Sequence, residues 1–155
     1  YRFGLNNRAD KVVCFCNKSQ HNKETLMSAA SDYLEDKLLD HTLGNTAYTQ
    51  PTVYVGLYTA VTGLETNAPT AEISGNGYTR KAASFGASSG GSCSTDATIT
   101  FDAATGNWGT ITHVAVTDAA TSGNVLFYGA VTSSKTIETG DTFQISSGNL
   151  TITLA

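Results

Sequence analysis

Short runs of β-branched and aromatic residues, separated by turns rich in glycine and asparagine, recur along most of this chain of 155 residues. The clearest example is GNWGTITHVAVTDAATSGNVLFYGAV, residues 106–131, where two alternating runs flank AATSG. Alternation with a period of two favours half-buried strands, and small polar residues between two such runs are typical of a hairpin turn. This pattern restricts the chain to folds built mainly from antiparallel strands.

The whole pattern predicts about eight strands, spaced as in β-sandwiches and jelly rolls. They are residues 51–60, 78–85, 97–101, 109–118, 123–131, 135–138, 142–145 and 150–155. Residues 62–77 are predicted as a polar loop and residues 86–96 as a flexible connection. The predicted fold class is mainly β: an antiparallel β-sandwich or jelly-roll-like domain with one N-terminal amphipathic helix.

The helix is predicted in SAASDYLEDKLLDHTLGN, residues 28–45. Ser28 or Ser31 can cap its N-terminus, and Gly44 with Asn45 is a typical stop. Three apolar residues fall on one stripe at i, i+4 spacing: Ala30, Leu34 and Leu38. That stripe must bury against the sheet or against a neighbouring subunit. The candidate subunit contacts are Leu34, Leu38, Leu39, Tyr54 and Tyr58.

Charge divides the chain into two parts. Residues 1–26 carry five basic and two acidic residues, whereas residues 27–155 carry four basic and eleven acidic ones. We expect residues 27–155 to form one helix-plus-β-sandwich domain whose acidity repels nucleic acid. No apolar run is long enough to span a membrane.

Residues 1–26 allow two interpretations. Met27 is the only methionine, and the Lys-Glu before it can be encoded as AAGGAG, which reads as a ribosome-binding site. The codons of Thr-Leu then give the spacing of a bacterial start, so we expect translation to begin at Met27 and residues 1–26 to be an upstream-encoded leader. The alternative is a basic N-terminal arm that docks on an acidic partner surface.

His113 and Asp118 are the residues that most resemble acid–base catalysts. Strand alternation puts His113 on one face with Ile111 and Ala115, which predicts a hydrogen-bonded structural histidine. Asp118 falls at the following turn, where aspartate commonly bonds nearby backbone. The sequence has no G-x-S-x-G elbow and no zinc-finger spacing of Cys and His. We therefore predict no catalytic residue, no metal, no cofactor and no enzyme activity.

Five segments resemble the small structural proteins of tailed phages. They are SDYLEDKLLDHTLGNTAYTQPTVYVGLYT, GNGYTRKAASF, WGTITHVAVTD, GNVLFYGAV and GDTFQISSGNLTITL, and their order is also that of the family. The resemblance covers residues 28–155 and leaves out residues 1–26. It implies a virion structural protein, tail-fibre-like or capsid-decoration-like, with no catalytic residue to transfer.

These observations predict a non-enzymatic subunit that decorates the phage capsid through repeated symmetric contacts. The alternative is a tail-fibre or tail-tip component that binds a host-surface glycan or receptor. A small hydrolase is the least favoured hypothesis. The expected partners are other virion proteins (the major capsid protein or tail proteins) and further copies of the chain, without nucleic acid or membrane. The expected location is the virion, assembled in the host cytoplasm.

Overall fold

Ten strands and one helix form the regular structure of residues 11–12 and 29–154, the part of the chain that the computed structural model describes. The helix, α1, is Asp32–Thr42. The strands are β1 (Lys11–Val12), β2 (Ala29–Ala30), β3 (Tyr54–Tyr58), β4 (Lys81–Ala82), β5 (Ser92–Ser94), β6 (Ile99–Thr100), β7 (Gly109–Thr117), β8 (Val125–Ile137), β9 (Gln144–Ile145) and β10 (Thr151–Thr153). The predicted mainly β, antiparallel class with one helix near the N-terminus is confirmed. The interpretations of residues 1–10 and 13–28, Met27 included, fall outside the described residues.

The main sheet has six strands in the order β1-β8-β7-β3-β4, with β2 also paired to β8. The β7–β8 hairpin is its centre, and the turn between its strands contains the predicted AATSG. β1 and β2 pair with one edge of β8, and β7 pairs with the other edge. β1 is parallel to β8, and the other described pairs are antiparallel.

Two small sheets, β10–β5 and β6–β9, pack on one face of the main sheet. Every second residue of β3, Val55 and Leu57, points into this interface together with side chains of β6, β9 and β10. Trp108, Phe101 and Phe143 close the same core and are almost fully buried. Burial of large apolar and aromatic side chains between two layers is the main stabilising contribution of such a sandwich.

The opposite face of the main sheet is covered by the segment that follows β3. Leu64 from this segment packs on Tyr58, Ala115 and Val125. A turn between Gly63 and Ala68 shapes the segment, and a Cβ at Gly63 would lie 1.9 Å from the Ala68 carbonyl oxygen. Only glycine fits there, which explains how a polar loop lies tightly on a sheet.

One prediction from strand alternation is wrong. Ile111 does not share a face with His113 and Ala115. It is buried in the core between the main sheet and the small sheets, whereas Ala115 packs against Leu64 on the opposite face of the main sheet. The pairing register of β7 and β8 shifts between Ile111 and His113, where residues 131–134 of β8 lie opposite a single residue of β7. An irregularity of this kind changes which face each later residue occupies.

Three strand predictions need correction. Residues 86–96 are not simply a flexible connection, because β5 forms there by pairing with β10. Residues 123–131 and 135–138 belong to one strand, β8, whose C-terminal part pairs with the start of β7. The strand predicted at residues 78–85 shrinks to two residues, β4, since Tyr78 leaves the sheet for the core.

The helix begins and ends as predicted. Ser31 is the N-cap, its side-chain oxygen accepting a hydrogen bond from the backbone N–H of Leu34, and Leu34 is buried. Beyond the last turn, Gly44 has a positive φ, and Asn45 donates to the carbonyl of Asp40. Ala30, however, is not part of the helical stripe: it pairs with β8 as part of β2.

The same leucine-to-alanine substitution, made once at a buried position and once at an exposed one, tests this core. Leu57→Ala should lower the free energy of unfolding by about 2–5 kcal/mol, because Leu57 is fully buried and the change leaves a cavity. Leu39→Ala, on the exposed side of α1, should change it by no more than about 0.5 kcal/mol. Urea denaturation of both variants measures the difference, and equal effects would contradict the assignment of the core.

Candidate functional site

The five predicted subunit contacts occupy different environments. Leu34 and Tyr58 are buried within the chain, so their side chains have no surface left for a neighbour in this conformation. Leu38 and Tyr54 are half-buried, and Leu39 is exposed. The structure therefore does not bring the five together on one surface, and their role in subunit contact stays a prediction.

His113 lies within β7 and is half-buried. Its Nδ1 is 2.8 Å from the hydroxyl of Thr112, and burial lowers the pKa of the imidazole. Among the described residues no carboxylate bonds to the ring, which is the contact that holds the histidine of a catalytic triad. Asp118 behaves as the turn residue that was predicted: its two oxygens accept from the backbone N–H and the side-chain amide of Asn124.

The most elaborate polar arrangement is centred on Arg80, to which the sequence assigned no role. Its Nε and Nη2 donate to the two oxygens of Glu72, each at 2.6 Å. Only 7% of the Arg80 side chain and 24% of the Glu72 side chain are exposed. The geometry is bidentate, and the hydrogen bond to this carboxylate raises the pKa of Arg80, so the guanidinium stays charged.

The remaining nitrogen of Arg80 holds the hairpin turn. Nη1 donates to the Thr117 hydroxyl at 3.1 Å, the Ala119 carbonyl at 2.9 Å and the Ser122 carbonyl at 2.6 Å. We call these five residues, Glu72 and Arg80 included, the Arg80 clamp. It connects the loop after β3 to the turn between β7 and β8 through one side chain.

Tyr58 and Tyr78 lie beside the Arg80 clamp. Tyr78 accepts a hydrogen bond from the Leu57 backbone N–H at 2.9 Å and donates to Glu72 at 3.1 Å. Burial is the main cause that raises the pKa of Tyr78 and of Tyr58, so both phenols stay protonated. Gly56 leaves the space that this packing requires, because a Cβ there would lie 3.2 Å from the Glu72 carboxylate.

A second connection runs between the same two loops. The side-chain amide of Asn67 donates to Asn124 at 2.8 Å, and its oxygen accepts from the backbone N–H of Val125 at 2.7 Å. Asn67 has a positive φ of 56°, a conformation that asparagine tolerates better than most residues. The loop at residues 62–72 and the turn at residues 118–124 are thus joined at two points, and we call them the clamped loops.

The motif GNWGTITH, which contains Trp108, contributes to an aromatic cluster next to the clamp. Trp108 packs edge-on against Tyr78, with ring centroids 5.5 Å apart, and its indole N–H donates to the carbonyl of Asn76 at 2.9 Å. Phe101 stacks on Tyr78 and contacts Trp108 and Phe143. GNGYTR and WGTITH, distant in sequence, therefore form one structural unit.

Within residues 11–12 and 29–154, no group of three or more His, Cys, Asp or Glu lies close enough to hold a metal ion. A shallow cleft between the main sheet and β10 is lined mainly by apolar residues: Val114, Val116, Phe127, Leu150 and Ile152. No helix in the described part of the chain is long and apolar enough to cross a membrane.

The sequence does contain a signal for Arg80, although it is weak. Arg80 is the only arginine in residues 27–155, a region with few charges and only four basic residues. A single arginine within a motif of small and aromatic residues fits a buried, bidentate role better than a surface role. Glu72 carries no comparable signal, because the contact that pairs it with Arg80 depends on the folded path of the loop.

Removing the clamp should destabilise the fold strongly. Arg80→Ala removes the charge partner of a mostly buried Glu72 carboxylate and the donor to two backbone carbonyls, and should cost about 3–5 kcal/mol of unfolding free energy. Lys81→Ala is the matched control: its partner Asp102 is 68% exposed, so its loss should cost under about 1 kcal/mol. Denaturant titration measures both, and equal losses would contradict the role given to the clamp.

Burial of His113 should make the stability of the fold depend on pH. Because burial lowers the pKa of folded His113, the unfolded chain takes up this proton at higher pH than the folded chain does. Unfolding free energy should therefore fall as pH decreases through about 6.5, the ordinary value of a histidine. His113→Gln should have a shallower fall than the parent between pH 7.5 and 5, as measured by denaturant titration. An unchanged slope would contradict burial of the neutral ring.

Comparison with known proteins places this architecture in a family. The family model described as Podophage GP4 fiber I protein gp80 matches residues 29–153, which include α1, the strands from β2 to β10 and the whole Arg80 clamp. A comparison with curated proteins finds no match. The family match agrees with the resemblance to tailed-phage structural proteins in the sequence. This chain belongs to the family of the Podophage GP4 fiber I protein gp80 and is a structural protein of a tailed phage.

Proposed function

We propose that this chain is a non-enzymatic component of a phage tail fibre. The observation that carries the proposal is the match of a fibre-protein family to residues 29–153, the same residues that form the sandwich, the helix and the clamped loops. The match is not confined to one motif, so the likeness extends to the whole architecture. A fibre component needs contacts with other virion proteins, and further copies of the same chain are the expected partners.

The chemistry of the described residues supports a building role. Charged and polar groups that are buried are used to join segments: Arg80 joins two loops, and Ser31 joins the start of α1 to β8 through the carbonyl of Val125. Buried polar groups used in this way make one conformation of the loops more stable than the alternatives. Such a part presents its surface in one shape.

The clamped loops are the surface best suited to recognition. Residues 120–123 of the turn are exposed, as are Glu65 and Thr66 of the loop, while the backbone beneath them is fixed by Arg80 and Asn67. Contact residues on loops with a rigid base lose little conformational entropy on binding. If the fibre component binds a host glycan or receptor, this end of the molecule is where we place the contact.

Capsid decoration, which the sequence alone favours, is the second candidate for the same protein. It shares the non-enzymatic and symmetric character of a fibre component, but the family description names a fibre. The capsid hypothesis therefore stays a prediction that the location of the protein on the particle can test.

Immunogold electron microscopy of intact particles tests the proposal. An antibody raised against the folded protein should label the tail fibres, because the proposal puts the protein there, and preadsorption with purified protein should abolish the label. Quantitative mass spectrometry should then find far fewer copies than of the major capsid protein. Label spread over the shell, with a copy number close to that of the capsid protein, would contradict the fibre proposal and support decoration.

A further inference from the structure

A tight turn precedes the tyrosine that packs on Trp108. Residues 75–78 form this turn, which is closed by a hydrogen bond from the Tyr78 N–H to the Gly75 carbonyl at 2.9 Å. Asn76 and Gly77 are its two central residues, with φ of 49° and 78°. Positive φ at both central positions defines a type I′ turn, for which Asn-Gly is a preferred pair. Both residues are exposed to solvent.

The same pair is the one in which asparagine most readily loses its side-chain amide. The loss begins when the backbone nitrogen of the following residue attacks the side-chain carbonyl carbon. A following glycine hinders this attack least, because it has no side chain and its backbone is unusually free. Asn76-Gly77 is the only Asn-Gly pair in the sequence.

Hydrogen bonding also separates Asn76 from the other described asparagines. Asn149 is followed by the bulky, buried Leu150. After the other four, the next backbone N–H donates to an acceptor: Thr46 to Asp40, Ala68 to Gly63, Trp108 to Ile137 and Val125 to Asn67. The Gly77 N–H donates to no acceptor in the described part of the chain. The attacking nitrogen at Asn76 is therefore both unhindered and free of a hydrogen bond.

We propose that Asn76 is a site of spontaneous deamidation. The Gly77 nitrogen gives up its proton and bonds to Cγ of Asn76, the bond from Cγ to Nδ2 breaks, and the side-chain nitrogen takes up a proton and leaves as ammonia. Water from the solvent then opens the five-membered ring at one of its two carbonyl carbons. The product is an aspartyl residue, or an isoaspartyl residue in which the main chain runs through Cγ.

The fold slows this reaction without preventing it. Nδ2 of Asn76 donates to the backbone carbonyl of Asn107 at 2.9 Å, which restrains the side chain that must turn towards Gly77. One hydrogen bond of ordinary net strength slows a reaction by about threefold to tenfold. No second hydrogen bond to the Asn76 side chain comes from a described residue.

Deamidation changes the contacts that hold Trp108. The Asn76 carbonyl accepts hydrogen bonds from the indole N–H of Trp108 at 2.9 Å and from the Thr105 N–H at 3.0 Å. In the aspartyl product, a carboxylate oxygen replaces the donor that faces the Asn107 carbonyl, and the two acceptors repel each other. In the isoaspartyl product, the main chain is one atom longer at this point. Both products therefore loosen Trp108, which packs on Tyr78.

Peptide mapping by mass spectrometry tests the proposal on the full chain. After prolonged incubation in warm, mildly alkaline buffer, the mass increase of amide-to-acid conversion should appear at Asn76 before any other described asparagine. Trp108→Phe removes the donor to the Asn76 carbonyl and should speed the conversion about threefold to tenfold, the effect of one hydrogen bond. Phe143→Leu is the matched control: it thins the same aromatic core without removing a hydrogen bond from Asn76, and should leave the rate unchanged.

Fluorescence of the only tryptophan in the chain measures the consequence. Asn76→Asp reproduces the aspartyl product and should shift the emission of Trp108 to longer wavelength, because the ring becomes more solvated. Asn149→Asp is the control: the Asn149 side chain donates to no described group, so the emission should not change. The proposal is overturned if Asn76 keeps its amide or another described asparagine converts first. It is also overturned if Phe143→Leu speeds the conversion as much as Trp108→Phe, or if the two aspartate variants have the same emission.

Discussion

The bidentate ion pair between Arg80 and Glu72 is the interaction on which the arrangement of the loops depends. An arginine side chain that is only 7% exposed is stable only if its donors find acceptors, and here they reach a carboxylate, a hydroxyl and two backbone carbonyls. These acceptors come from segments far apart in the chain. The desolvation of one side chain therefore requires the loop after β3 and the turn after β7 to adopt their observed positions together.

The sheet supplies the conditions that make this pair possible. Gly56 leaves room for the Glu72 carboxylate beside β3, and the phenol of Tyr78 satisfies the Leu57 N–H at the point where the edge of β3 is left unpaired by neighbouring strands. Trp108 and Phe101 then fix the Tyr78 ring. The aromatic core and the polar clamp share this tyrosine, so packing on one face of the sheet supports the loop conformation on its edge.

The fold could be predicted from the sequence where local rules decide it, and not where partners distant in sequence decide it. The helix, its cap and the β7–β8 hairpin follow from periodicity and turn residues. β5, whose residues Ser92 and Ser94 have no apolar signal, exists because β10 pairs with it. The face of Ile111 depended on a register shift that alternation cannot reveal, and Glu72 joined the site only through the folded path of its loop. Arg80 was visible as a lone arginine, but its acceptors were not.

The small number of charges in the matched region has a structural consequence. Of its four basic residues, Arg80 is buried in the clamp, Lys81 pairs with Asp102, and Lys37 lies over Tyr33, so most of the eleven acids form no ion pair with another described residue. Unpaired surface carboxylates repel one another at long range and make the molecule a poor partner for itself through acidic patches. Assembly in the proposed fibre then requires either apolar contacts or basic partner segments, and α1 offers surfaces for both through the exposed Leu39 and three exposed acids. A building part that avoids nonspecific self-association and still binds a chemically matched partner is the outcome expected of this charge distribution.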